Sequence, residues 1–209
     1  MADADSPGRQ DVRQELLDLA AEDARVRAEL AADGSLYEGY HPRMAAVHRR
    51  NAARLGEIIA EIGWPAAAWA GADGAEAAWR IAQHAIGEPA FQRRCLAALQ
   101  AAAAAGDAPA WQPAMLEDRI RMFEGRPQRY GTQLEPDGAG ALRPYWIEDP
   151  EGVDERRRAV GLEPLRDRLA REPRIPPPSD RQRFEREYQE WLRRVGWRAE
   201  CPDEQCQPR

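Results

Sequence analysis

LEDRIRMFEGRPQRYGTQ, residues 116–133, sets the end of an amphipathic helix directly against a polar loop. Leu116, Ile120 and Phe123 recur at helical spacing and Met115 and Met122 widen the same face, so the stretch reads as helix rather than strand. At about 100° per residue Arg119 falls inside the apolar arc, where a guanidinium must find an anion. Gly125 ends the helix at the position past the C-cap where glycine is favoured. Pro127, Gln128, Tyr130, Thr132 and Gln133 follow, with several hydrogen-bonding side chains and little to bury. Such a run is either a pocket wall or a polar turn whose amides cap neighbouring helix ends.

Upstream, the same period organises four more helices. Arg9 to Ala32 carries an apolar stripe of Val12, Leu16, Leu19, Ala20, Val26 and Leu30, with Asp23 and Arg27 near its middle, one turn apart and able to touch. After the turn LYEGYHP, Pro42 opens a second helix running to Ile62. Its core face of Met44, Val47, Leu55, Ile58, Ile59 and Ile62 also contains His48 and Asn51, where a packing helix would normally place Leu or Ala. A lone inward histidine is usually a satisfied core residue; one accompanied by Asn51, Asp23, Arg27 and Arg119 calls for partners. Gly63 and Pro65 stop the helix around Trp64. After a loop through Gly71 and Gly74 a third helix is expected over Ala75–Ile86, with His84 opposite Trp79, and a fourth from Pro89 into the alanine tract ending at Gly106.

Downstream, Glu135 to Gly140 reads as a surface turn and Leu142 to Ile147 as a short extended segment. Asp149 and Pro150 resemble an N-cap and first helical residue of a helix through Arg156, Arg157 and Arg158, three arginines read as a solvated face. RIPPPSD, residues 174–180, is an extended linker in which Ser179 and Gln182 form a capping box for a last helix to Val195. That helix aligns Phe184, Tyr188, Trp191, Leu192 and Val195 on one side, which docks on the main body, on a second copy in a homo-oligomer or on a protein partner. The expected fold is all-α: a single-domain helical bundle with long functional loops and an appended C-terminal helix. Its divisions are a disordered N-terminus (1–8), a helical core domain (9–172), a Pro-rich linker (173–180) and the C-terminal helix and tail (181–209).

Composition narrows the function. The formal net charge of −6 argues against a general nucleic-acid binder. All 30 basic residues are arginine, which excludes lysine-dependent covalent chemistry and, with the abundant alanine, suggests a GC-rich bacterial coding bias. Cys95, Cys201 and Cys206 are an odd number, and no hydrophobic leader or bilayer-length apolar stretch is present, so a reducing cytoplasm without membrane association is expected. No glycine-rich phosphate loop or nucleophile elbow is found, and no organic cofactor is expected.

YHPRM (40–44), HRRNAARL (48–55), GWP (63–65), AAWRIAQHA (77–85), LEDR (116–119) and QRYGTQ (128–133) together resemble a bacterial family recorded as a domain of unknown function, over roughly Asp11 to Leu165. The resemblance implies no activity. It implies one shared constellation of Asp23, Arg27, His48, Asn51, His84, Asp118, Arg119, Gln128, Tyr130 and Gln133. The first functional class is an enzyme, a hydrolase or lyase, acting on a small anionic molecule. In it His48, His84 and Asp118 do the chemistry, Arg27 and Arg119 hold a carboxylate or phosphate, and Asp23, Asn51, Gln128, Tyr130 and Gln133 position the substrate. The second is a non-catalytic ligand- or protein-binding helical module. The third, a metal site of His48 and His84 with Asp23 or Asp118, has no paired spacing such as HExxH to support it, and no metal is assigned from the sequence.

Overall fold

The computed structural model describes residues 7–137, 140–174 and 180–199. Its helices are α1 (Pro7–Ala32), α2 (Pro42–Ile62), α3 (Ala67–His84), α4 (Pro89–Ala104), α5 (Trp111–Phe123), α6 (Val153–Ala159), α7 (Leu165–Leu169) and α8 (Arg181–Arg194). The other regular elements among the described residues are a single turn of 3₁₀ helix, Ser35–Tyr37, and the two short antiparallel strands β1 (Leu134–Pro136) and β2 (Leu142–Pro144). The fold is therefore all-α, as its periodicity indicated. The N-terminal stretch expected to be disordered, most of the Pro-rich linker and the tail with Cys201 and Cys206 lie outside the described residues, apart from Pro7 and Gly8, which belong to α1.

One core joins most of the helices. Leu16 of α1, Leu55 and Ile58 of α2, Ala78, Ile81 and Ala82 of α3, Leu99 of α4, Leu116 and Phe123 of α5 and Leu192 of α8 are buried in the same cluster. α1 packs most extensively on α3. That closeness follows from α3 being lined with Ala70, Gly74, Ala77, Ala78 and Ala82, whose small side chains let two backbones approach. α2 begins where expected: His41 accepts the Arg43 amide through Nδ1 at 3.1 Å, and Pro42 occupies the first turn, where its missing N–H costs nothing.

Four local readings are corrected. α3 starts at Ala67 rather than Ala75, because Gly71 (φ 71°) makes a break between two helical stretches instead of a loop. A Cβ there would lie 2.9 Å from Asp73 Oδ1 and 3.1 Å from the Arg13 side chain, which crosses this corner to pair with Asp73. α6 starts at Val153, and Asp149 does not cap it but accepts Arg156 Nη1 at 2.9 Å. Arg157 is not solvated: it is 2% exposed and donates from Nη1 to the Tyr130 carbonyl at 2.7 Å. The cap of α8 is Asp180, which accepts the Arg183 amide at 2.8 Å.

α8 lies against the body of the protein. Trp191 meets Tyr40 and Phe123 edge-on, with ring centroids 5.4 and 5.7 Å away. Just beyond the helix, the buried Trp197 stacks on Phe123 and donates its indole N–H to the Ile86 carbonyl at 2.7 Å. Leu192 is fully buried beside them. Leu192→Ala should cost about 3 kcal/mol through lost transfer energy and a residual cavity, measured as a lowered urea midpoint with unchanged slope; an unchanged midpoint would mean that α8 is not part of the cooperative fold.

Candidate functional site

Three inward polar residues meet where α1, α2 and α3 pack together. Asp23 of α1 is 1% exposed, His48 of α2 is 4% exposed, and His84 closes the last turn of α3. His84 Nδ1 is in short contact with Asp23 Oδ2. His48 Nε2 faces Asp23 Oδ1 at 3.4 Å, close enough for attraction between charges but too poorly aligned for a hydrogen bond, and neither atom has another partner among the described residues. The two imidazole centroids are 5.7 Å apart. On its other side His48 Nδ1 meets the Tyr40 hydroxyl at 2.9 Å, which fixes the ring and directs Nε2 toward the aspartate.

Electrostatics follow from this packing. Burial would raise the Asp23 carboxyl, but the close approach of His48 and the hydrogen bond and positive character of His84 outweigh it and hold Asp23 well below the usual carboxylate range. Burial lowers His84, which Asp23 opposes and the charges of Arg27 and Arg119 reinforce. Burial likewise raises the Tyr40 phenol, keeping it protonated. The cluster is therefore an ionised carboxylate beside a largely neutral imidazole at neutral pH.

The arginines surround the cluster without completing it. Arg27 does not pair with Asp23 as its spacing suggested; it is exposed and, among the described residues, has no hydrogen-bond or ion-pair partner. It lies on the wall of a cavity of about 590 Å³ to which His48, Tyr40 and Met44 also contribute, together with Phe184, Tyr188 and Trp191 of α8. Arg119 donates from Nη1 to the Gln83 carbonyl at 2.7 Å and from Nε to Gln133 Oε1 at 3.1 Å, and it has no acidic partner among the described residues. Burial, with the nearby charge of Arg27, pushes Arg119 down to about 10. Both guanidinium charges reach His84 beside Asp23, and Arg27 also lines the cavity, where an anion can meet it.

The remaining candidates are tied to the framework. Asn51 donates to the Leu19 carbonyl at 3.0 Å, locking α2 to α1 one turn from Asp23. Gln128 is fully buried, donating to the Gln133 and Tyr145 carbonyls at 3.0 and 2.6 Å and accepting the Gln133 amide at 2.9 Å. Asp118 is not part of the histidine cluster and, among the described residues, does not pair with an arginine. It accepts the amides of Arg129 (2.7 Å), Tyr130 (3.1 Å) and Thr132 (3.0 Å) and the Thr132 hydroxyl (3.0 Å), so α5 anchors the loop that follows it. Burial raises its carboxyl while those amides pull it back. Tyr130 presents its backbone to Asp118 and Arg157 and its ring to the Arg129 guanidinium. Tyr40 and Gln83 were not singled out by periodicity. Tyr40 sits in a turn, where no helical face exists to test, although YHPRM held the signal; Gln83 is an ordinary helix former whose buried amide, unpartnered among the described residues, appears only in three dimensions.

Residues 10–172 match the model of the Family of unknown function (DUF6624), and the chain belongs to that family. No curated protein and no solved structure matches the chain. Among the described residues no helix is long and apolar enough to cross a membrane.

Asp118→Ala should destabilise the fold by at least about 3 kcal/mol, since three loop amides lose their acceptor. Asp118→Asn, which turns an N–H donor toward those amides, should recover less than half of that loss in chemical denaturation. Near-native stability of either variant would show that the loop holds its shape by other contacts.

Proposed function

We propose that this chain is an enzyme acting on a small anionic molecule, by hydrolysis or elimination, at the Asp23–His48–His84 cluster. The observation that supports this most is a buried, ionised carboxylate flanked by two imidazoles, one of which forms part of a cavity wall that also carries an unpaired arginine. A structural carboxylate would satisfy its polar atoms, as Asp118 does; this cluster keeps a carboxylate oxygen and an imidazole nitrogen without a hydrogen bond among the described residues, a costly arrangement that a reaction centre explains.

The division of labour follows from position. The cluster supplies the basic centre that removes a proton from water or from a substrate carbon next to an electron-withdrawing group. Arg27, and Arg119 behind it, hold the carboxylate or phosphate and stabilise negative charge that develops during the reaction. Phe184, Tyr188 and Trp191 cover the apolar part of the molecule and limit access of water.

A titration with small carboxylates and phosphate esters, read by calorimetry, tests this. At least one class should bind to the wild type, and Arg27→Ala and Arg119→Ala should each weaken it by roughly tenfold or more, the value of one charge-assisted contact. His48→Ala should abolish turnover of the bound compound while leaving its affinity within a few-fold. Turnover that persists in His48→Ala, or anion binding indifferent to both arginines, would overturn the reading.

A further inference from the structure

We infer that Asp23, His48 and His84 bind one divalent first-row transition-metal ion, the kind of ion that two imidazoles and one carboxylate select. The donors lie within 4.8 Å of one another, one from each of three helices. A tetrahedral ion with bonds of about 2.0–2.1 Å sets neighbouring donor atoms roughly 3.3 Å apart, and Asp23 Oδ1 and His48 Nε2 stand at 3.4 Å. These two atoms are buried and lack a hydrogen-bond partner among the described residues. His84 Nδ1 already meets the other oxygen of the same carboxylate, so an ion between Asp23 Oδ1 and His48 Nε2 would use the two atoms that no hydrogen bond occupies.

The surroundings agree. A metal-bound histidine almost always donates its second ring nitrogen to an oxygen that holds its orientation, and Tyr40 is placed to receive His48 Nδ1–H at 2.9 Å. Asn51, tied to the Leu19 carbonyl, fixes α2 against α1 one turn from both ligands, so the donors are set by the packing of rigid helices. Two nitrogens and one oxygen suit Zn²⁺, Co²⁺, Fe²⁺ or Mn²⁺, whereas Mg²⁺ and Ca²⁺ require sets dominated by oxygen. Three protein ligands leave coordination positions open, and His48 brings the ion to the cavity edge, where such positions admit water. This deepens the proposed function, on which it rests for its catalytic consequence: the basic centre is then a water acidified by the ion, and the imidazoles hold the ion instead of moving the proton.

The test uses the full chain, expressed without a histidine tag, stripped with a chelator and titrated with Co²⁺ and Zn²⁺ by calorimetry and visible absorption. One ion per chain should bind, with a Co²⁺ spectrum of low coordination number, and a Cys201→Ser/Cys206→Ser protein should keep that stoichiometry. His48→Ala, His84→Ala and Asp23→Asn, checked for helicity by circular dichroism, should lose the spectrum. Tyr40→Phe, which keeps all three donors, should weaken binding about 10- to 100-fold, the usual effect of removing an outer partner. No stoichiometric binding by the wild type, or unchanged binding in His48→Ala, would overturn the metal site while leaving anion binding at Arg27 to stand or fall alone. A metal-loaded protein that binds and turns over no anion would keep the site and sink the enzyme.

Discussion

Burial of the Asp23 charge is the constraint on which the arrangement of the first three helices depends. An ionised carboxylate that is 1% exposed is strongly unfavourable unless cationic or donor groups reach it, and none is available on α1 itself, because Arg27 points outward. The partners must come from elsewhere in the chain, and they come from His48 on α2 and His84 at the end of α3. Both helices are held at the required depth, α3 by its alanine and glycine face on α1 and α2 by the Asn51 bond to Leu19. Hydrophobic packing brings these helices together; the charge decides which register they adopt, since a shift of one turn would strand Asp23 without a partner.

A second buried carboxylate shows what an ordinary structural role looks like in the same protein. Asp118 is as inaccessible as Asp23, yet both of its oxygens accept bonds from the loop that follows α5. Asp118 therefore fixes a shape, and the loop bears its consequences: Gln128 and Gln133 are oriented by it, and Gln133 in turn holds Arg119. Asp23 differs by the oxygen that has no hydrogen bond. Satisfaction, more than burial or charge, separates Asp118 from Asp23, and the loop that Asp118 holds reaches Arg119 through Gln133.

Periodicity read the helices well where one face is apolar along its whole length. The span of α2 and the inward direction of Asp23 and His48 follow from side chains every three or four residues, and so does the helical half of residues 116–133. It failed where a residue belongs to two environments. α3 is alanine-rich on several sides, so its burial pattern has no clear phase and the contact of His84 with Asp23 was not visible, although the family resemblance grouped them. Gly71 and Gly74 looked like a loop because a glycine that permits a sharp corner and one that permits close packing carry the same letter. Arg27 was placed inward by angle alone, but a side chain as long as arginine's can reach solvent even from within an apolar arc. Arg157 erred the other way: three consecutive arginines cannot share one helical face, and the middle one turns in to the Tyr130 carbonyl.

The cavity wall and the cluster behind it come from different parts of the chain. Asp23, His48 and His84 lie within residues 10–172, the part matched to the family, whereas Phe184, Tyr188 and Trp191 belong to α8, beyond it. In the proposed reading the reacting centre and its arginines are thus fixed by the body of the fold, while the shape of the space above them is set by a helix whose anchoring is largely apolar, through Trp191, Leu192 and Trp197. Substitutions on the inner face of α8 can then alter which molecule fits without touching the groups that act on it. The cavity wall carries charges of both signs: Glu187, Glu190 and Arg194 come from α8, whereas Arg27 of α1 and Glu38 come from the part matched to the family. In the proposed reading an anionic group is held at Arg27, whose charge reaches His84, and the rest of the molecule lies against the aromatic rings of α8.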